Sequence, residues 1–138
     1  MKAMVYYGNK DLRLEEVQDP VPLAGEVKLR VDYCGICATD IEEYSYGPLF
    51  INHKKPHPLT GKMMPLITGH EVTGTVVEIS PDVKSIQVGD RTVLDGIISC
   101  KECWWCSNGH PTQCNKMATV GFNRDGGLAE FLTWPASK

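Results

Sequence analysis

The sequence has no long apolar run: nowhere in its 138 residues do roughly 18 consecutive apolar residues occur, the length a membrane-spanning helix needs. It also has no block of like charge. The 14 Lys and Arg stand against 17 Asp and Glu, a net charge of −3, so little draws the chain to a phosphate backbone and nucleic-acid binding is not expected. The opening stretch MKAMVYYGNKDLRLEE lacks the apolar core of a secretory signal. A soluble, cytoplasmic protein with neither membrane nor nucleic-acid partners is the expectation. Internal repeats and low-complexity tracts are absent, and signals for helices are scarce.

Glycine, proline and cysteine are plentiful instead. The 13 Gly and 9 Pro exceed an ordinary combined share of about 12%, which with a normal apolar fraction describes a turn-rich globular chain of one domain. Six Cys in a reducing compartment make metal binding or thiol chemistry the leading explanation and a disulfide framework the lesser one.

Val27, Leu29 and Val31 alternate with Lys28, Arg30 and Asp32, the two-residue period of a half-buried strand. Leu12, Leu14 and Val17 extend a similar pattern. Ala3–Tyr7, Glu71–Ile79, Arg91–Leu94 and Ala129–Thr133 are further strand candidates, rich in β-branched and aromatic residues and bounded by Gly, Pro or Asp. Short strands separated by turns point to a barrel or sandwich. The one helix expected is short, Thr39–Tyr44, with Thr39 as its N-cap and Glu42 three residues on, as in a capping box. Gly47–Pro65 carries four prolines and reads as a long loop.

Ser99–Met117 has little apolar periodicity and cannot build its own core. It does contain Cys100, Cys103, Cys106 and Cys114 in the pattern C-x2-C-x2-C-x7-C. Two-residue gaps turn successive thiolates toward one point and a fourth completes a tetrahedron, the arrangement of structural zinc. An iron–sulfur cluster is the chemical alternative. Four thiolates leave no open position, so a zinc here stabilises the fold and does no chemistry. Trp104 and Trp105 lie inside this lobe, and packing of at least one ring on the metal loop is favoured over a partner surface.

A second set is less explicit. Cys37 closes Cys34-Gly35-Ile36-Cys37, and His70-Glu71 follows Gly69 at the start of a strand candidate. A lone histidine is more often structural than a ligand, and C-x2-C also suits a redox pair, although no βαβ pattern surrounds it. Cys, His and Glu are nevertheless the ligand types of a catalytic zinc with an exchangeable position.

Cys37 to Asp40 in CGICATD, Gly69-His70-Glu71 with Gly74, Val88-Gly89-Asp90-Arg91-Thr92-Val93, the four-cysteine lobe and Gly126-Gly127-Leu128-Ala129-Glu130-Phe131 follow one another in an order that resembles the zinc-dependent medium-chain alcohol dehydrogenases. The resemblance runs nearly end to end. The proline-rich insertion, from Gly47-Pro48-Leu49-Phe50 to Leu59-Thr60-Gly61, is similar to the butanediol dehydrogenase branch, near the sorbitol dehydrogenases. The resemblance implies a mainly β, GroES-like, partly open barrel over residues 1–138, with a short helix and the four-cysteine zinc lobe at about residues 99–117. It implies that Cys37 and His70 are catalytic zinc ligands and that Glu71 is a further ligand or a carboxylate behind them. It implies that Asp40 orients His70 and that Thr39 passes the alcohol proton toward solvent, beside the plainer reading in which both cap the helix. The implied chemistry is oxidation of a small secondary alcohol or diol, or the reverse, with hydride exchanged with NAD(P) in a parent enzyme that can be a homo-oligomer.

Two departures matter. Where many relatives carry a relay histidine this chain has Glu42, a weak base at neutral pH with a reference pKa of about 4.3; a solvated helix residue is the favoured reading and a relay the other. The G-x-G-x-x-G fingerprint of a Rossmann domain is also missing from these residues, and in the family another ligand of the catalytic zinc comes from beyond this stretch. The expectation is therefore the N-terminal zinc-binding part of a dehydrogenase, truncated, inactive alone and with an incompletely filled catalytic site. The alternatives are a free-standing zinc module that binds a protein or small molecule, and a chain that completes an enzyme with a separate cofactor domain.

Overall fold

The computed structural model describes residues 1–138. Nine strands dominate. Lys2–Gly8 (β1) and Asp11–Glu16 (β2) form a hairpin, and Leu66–Ile67 (β4) pairs with the far side of β1. Glu26–Gly35 (β3), Glu71–Ile79 (β5), Arg91–Val93 (β6) and Phe131–Pro135 (β9) make an antiparallel sheet in the order β6-β5-β3-β9. The Met4 amide donates to Leu128 O at 2.8 Å and the Glu130 amide to Lys2 O at 3.1 Å, so the two sheets are stitched together just before β9. Closure is partial, and a mainly β, partly open barrel results. No helix is long and apolar enough to cross a membrane.

The alternation read in β3 places Val27 and Leu29 in the core, 4% and 1% exposed, where they meet Val76 of β5 and Val83. Farther along the same face of the sheet Val72, Val120, Leu132 and Trp134 pack together, with Leu132 and Trp134 directly opposite Leu29 and Val27. Trp134 is 1% exposed and its indole N–H donates to Asp95 O at 2.9 Å. Arg124 stacks over its ring and pairs at 2.7 Å with Glu26, which is itself buried.

Three expectations shift. The helix runs over Ala38–Tyr46 (α1) with Cys37, not Thr39, at its N-cap. The reason is Asp40, whose carboxylate Oδ2 reaches back to accept the Cys37 amide at 2.9 Å; this places Thr39 and Asp40 inside the first turn. The last strand starts at Phe131 rather than Ala129, because Ala129 still bridges to Ala3 of the other sheet before the chain crosses to β3. In β2 only Leu12 packs on the core; Leu14, on the same face of the strand, lies 66% exposed on an edge strand that nothing covers.

The proline-rich segment follows a fixed path. It has cis peptide bonds at Gly47-Pro48 and Met64-Pro65, and side chains tie its middle to the rest of the chain. Asn123 donates to Asn52 Oδ1 at 3.1 Å and Lys62 pairs with Asp125. His57, buried, accepts the Leu59 amide at Nδ1 and therefore donates from Nε2 to Met117 O at 3.0 Å.

Two outcomes are expected. Trp134→Ala should cost about 3–5 kcal/mol of stability in urea unfolding; a loss below 1 kcal/mol, on the order of a surface change, contradicts the core assignment. Burial lowers the His57 pKa from its ordinary 6.5, opposed by the bond to Met117. The unfolded chain thus takes up this proton first, so stability present above the ordinary value falls as the pH drops through it and levels off below the depressed folded value. His57→Gln should flatten that part of the urea midpoint against pH; an unchanged slope contradicts a buried, neutral His57 bonded to Met117.

Candidate functional site

The four-cysteine lobe hangs from a two-strand stem, Ile97–Ile98 (β7) paired with Ala118–Thr119 (β8), and contains one helical turn, Trp104–Ser107 (α2). The thiols converge. Sγ–Sγ separations are 3.5 Å for Cys103–Cys106, 3.5 Å for Cys100–Cys114 and 4.0 Å for Cys100–Cys106. Four thiolates around one zinc at about 2.3 Å give tetrahedral edges of about 3.8 Å. The gap suits a single ion and leaves no room for several irons with bridging sulfides.

Backbone N–H groups favour the anionic form of these sulfurs. The Cys103 amide donates to Cys100 Sγ at 3.4 Å, and the Cys100 and Lys116 amides donate to Cys114 Sγ at 3.4 and 3.3 Å. The peptide N–H of Cys106 is the main cause that holds the Cys103 thiol down to about 6, and that of Cys100 lowers Cys114. Cys106 goes the other way, pushed up to about 11 chiefly by burial, a cost that a divalent cation among the sulfurs removes.

The second set also meets. Ligand atoms of Cys37, His70 and Glu71 all lie within 4.8 Å of one another. Cys37 reaches the spot from the N-cap of α1, and His70 and Glu71 from the start of β5. Two glycines make the approach. Gly69 has φ +93°, where L side chains are strained, and a Cβ there would stand 2.7 Å from Cys34 Sγ; at Gly35 a Cβ would stand 2.3 Å from Glu71 Oε2.

His70 is oriented by α1. Its Nδ1 faces Asp40 Oδ1 at 3.4 Å, and both atoms are buried with no other partner. A proton on Nδ1 leaves the Nε2 lone pair free, and Thr39 Oγ1 lies 3.3 Å from that atom. Phe122 covers the ring, 4.8 Å between centroids. A soft thiolate, an imidazole held in one tautomer and a carboxylate at one point fit a borderline-soft divalent ion.

Glu42 is exposed, and its side chain takes part in none of the ion pairs of the chain. Cys34 stays a thiol: burial first, then the Asp40 charge, pushes it up to about 11, which disfavours a redox pair with Cys37. Trp105 packs edge-on against Trp104 and His110, while Trp104 is 65% exposed. A hollow of about 630 Å³ between Met1, Val17, Leu66 and Phe131 includes none of the cysteines or His70. Sequence reasoning missed Glu43, a carboxylate only 1% exposed, and Phe122. Glu43 is surrounded in sequence by exposed Glu42 and Tyr44, so only its helical offset from Asp40 and the apolar residues beyond hinted at its direction.

A partly open β-barrel thus carries two groups of side chains, a four-thiol lobe and a Cys-His-Glu cluster, each able to hold a metal ion. The family model described as "Alcohol dehydrogenase GroES-like domain" matches residues 23–138, and the chain belongs to that family. It is 38% identical over 137 residues to (R,R)-butanediol dehydrogenase of Bacillus subtilis, covering 96% of this chain and 38% of the relative. The crystal structure of 2R,3R-butanediol dehydrogenase from Bacillus subtilis superposes with a TM-score of 0.90 at 36% identity, over 97% of this chain and 38% of that one. A putative zinc-binding dehydrogenase from Sinorhizobium meliloti 1021 bound to NADP gives a TM-score of 0.85 at 30% identity, over 99% of this chain and 36% of that one. The chain thus spans little more than a third of the length of these relatives.

Cys114→Ser removes one of four converging soft ligands. The variant is expected to lose its tightly held metal to a chelator that leaves the parent chain loaded, as counted by metal analysis after dialysis; equal retention contradicts a four-thiolate site.

Proposed function

We propose that residues 1–138 form one unit, the zinc-holding and alcohol-activating N-terminal portion of an NAD(P)-dependent alcohol or diol dehydrogenase. The observation that carries this reading is the convergence of Cys37, His70 and Glu71 within 4.8 Å beside Thr39 and Asp40. The separate four-cysteine lobe, with its lone-ion spacing, holds a structural zinc.

A zinc held by Cys37 and His70, with Glu71 as ligand or nearby carboxylate, supplies Lewis acidity that lowers the pKa of a bound alcohol. The residues of the chain do the rest. Asp40 fixes the His70 tautomer through Nδ1, and the Thr39 hydroxyl stands where an alcohol proton leaves toward solvent. Phe122 and Phe50, 5.5 Å apart edge to face, form an apolar flank beside the His70 ring. Glu42, exposed on the next turn of α1, is solvated and takes no part in the relay. A small secondary alcohol or diol suits this reading, as the names of the butanediol dehydrogenase relatives support. The nicotinamide is held by a nucleotide-binding domain outside these residues, so the chain alone turns over no substrate.

Metal analysis of the purified chain is expected to find one tightly held zinc and a second at partial occupancy that rises with added zinc and disappears in His70→Ala. Absence of a second metal under excess zinc, or its retention in His70→Ala, overturns the reading.

A further inference from the structure

Glu43 is the most deeply buried carboxylate of α1, and it has no cation. It is 1% exposed and takes part in none of the ion pairs of the chain. A buried charge in that position is costly unless hydrogen bonds replace its water. Two peptide groups of the proline-rich segment do so: the Leu49 amide donates to Glu43 Oε1 at 3.1 Å and Oε2 at 3.0 Å, and the Phe50 amide to Oε2 at 2.8 Å.

The surroundings are shaped to receive this carboxylate. At Gly47 a Cβ would stand 2.9 Å from Glu43 Oε1, 2.2 Å from Glu43 O and 2.5 Å from the Tyr6 hydroxyl, so no larger residue lets the chain turn this tightly over the helix. Tyr6, 1% exposed on β1, donates its hydroxyl to Glu43 O at 2.9 Å. Helix, hairpin and loop are thus fastened at one residue.

What the fastening fixes is Phe50. Its amide is gripped by Glu43 and its carbonyl is approached by Asn123 Nδ2 at 3.5 Å. The ring meets Phe122 edge to face with centroids 5.5 Å apart, and Phe122 lies on His70 with centroids 4.8 Å apart. A loop that could drift would leave Phe122 without its outer neighbour, and the His70 ring with a movable wall.

We propose that Glu43 is a positioning residue for the Cys37/His70/Glu71 site, acting through the Leu49 and Phe50 amides to hold the Phe50–Phe122 wall against the His70 ring. The same helix that brings Asp40 to one edge of His70 sets, one turn later, the apolar cover on its face. The proposal deepens the metal-site reading and rests on it only for its consequence for metal binding.

The test is a double-mutant cycle in the full chain, read by the ring-proton resonances of His70, which sense the Phe122 ring current, and by zinc affinity at the second site. Glu43→Gln keeps the shape but opposes one amide N–H with another. It is expected to move the His70 resonances and weaken the second zinc by about tenfold, the low end of what outer partners of a metal ligand contribute, while the amide resonances of the four-cysteine lobe stay in place. Phe50→Ala is expected to do the same, and Glu43→Gln in the Phe50→Ala background to add nothing further. Unmoved His70 resonances in Glu43→Gln, or additive effects of the two changes, overturn the proposal. If Glu43→Gln does not fold, Glu43→Asp, which keeps the charge and shortens its reach, replaces it in the cycle. The ring resonances report the wall with or without metal, so a chain that takes up no second zinc defeats the functional reading and leaves this one to be decided by the resonances.

Discussion

Everything about the Cys-His-Glu site depends on how closely three backbones pass at Gly69. The Gly127 amide donates to Gly69 O at 2.9 Å and the Gly126 amide to Ile67 O at 2.8 Å. A Cβ at Gly121 would fall 2.6 Å from Gly69 O, and one at Gly126 would fall 2.3 Å from it. No side chain fits between these segments, so glycine is needed on both sides of the crossing. Beyond that crossing His70 and Glu71 enter β5, while the strand that follows Gly126-Gly127 crosses from one sheet to the other. Phe122 sits just after Gly121 and is carried onto the His70 ring. The barrel is closed, where it is closed at all, by the contact that also aims the ligands.

Local periodicity made the strands legible. β5 has the bounds that its Val, Ile and Thr pattern implies, and the inward Val27 and Leu29 follow the alternation of β3. Spacing made the four-cysteine lobe legible as well, because C-x2-C-x2-C is a local geometric statement about where sulfurs point. What failed to be legible was long-range. Asp40 as the partner of the Cys37 amide is local, yet an Asp three residues after a Cys reads less readily as a cap than a Thr followed three residues later by a Glu. The ion pair of Glu26 with Arg124 and the bond of His57 to Met117 join residues that no window along the chain brings together. Glu43 was hidden differently: beside exposed Glu42 it reads as one more solvated acid, and its burial becomes visible only once the loop folds back over the helix.

The buried carboxylates show two ways of keeping a charge out of water. Glu26 is met by a guanidinium that also stacks on Trp134, so its charge is compensated and the pair fastens the N-terminus of β3 to the segment leading into β9. Glu43 is met only by amides, which compensate the charge less and specify direction more. Its neighbour feels the difference: burial, and then the Glu43 charge, pushes the Tyr6 phenol up to about 12. A carboxylate held this way ranks the possible paths of the loop, since only a chain with two consecutive free N–H groups at Leu49 and Phe50 satisfies it. Pro48 just before them has no N–H to offer, which removes the nearest competing register.

The two metal-ligand sets are thereby tied without touching. The proline-rich segment is held at Phe50 beside the His70 wall and at His57 against Met117, whose own amide donates to Cys114 O at 3.0 Å. A lobe that relies on four sulfurs for its fold therefore also supports one anchor of the segment that covers the other set. If an ion among the four sulfurs is what fixes Cys114, its loss would also loosen the Met117 carbonyl, while the Glu43 anchor near the other end would stay intact. The segment would still be tied by Glu43 at Phe50, by Asn123 at Asn52 and by Asp125 at Lys62, so its hold beside His70 does not rest on the lobe alone.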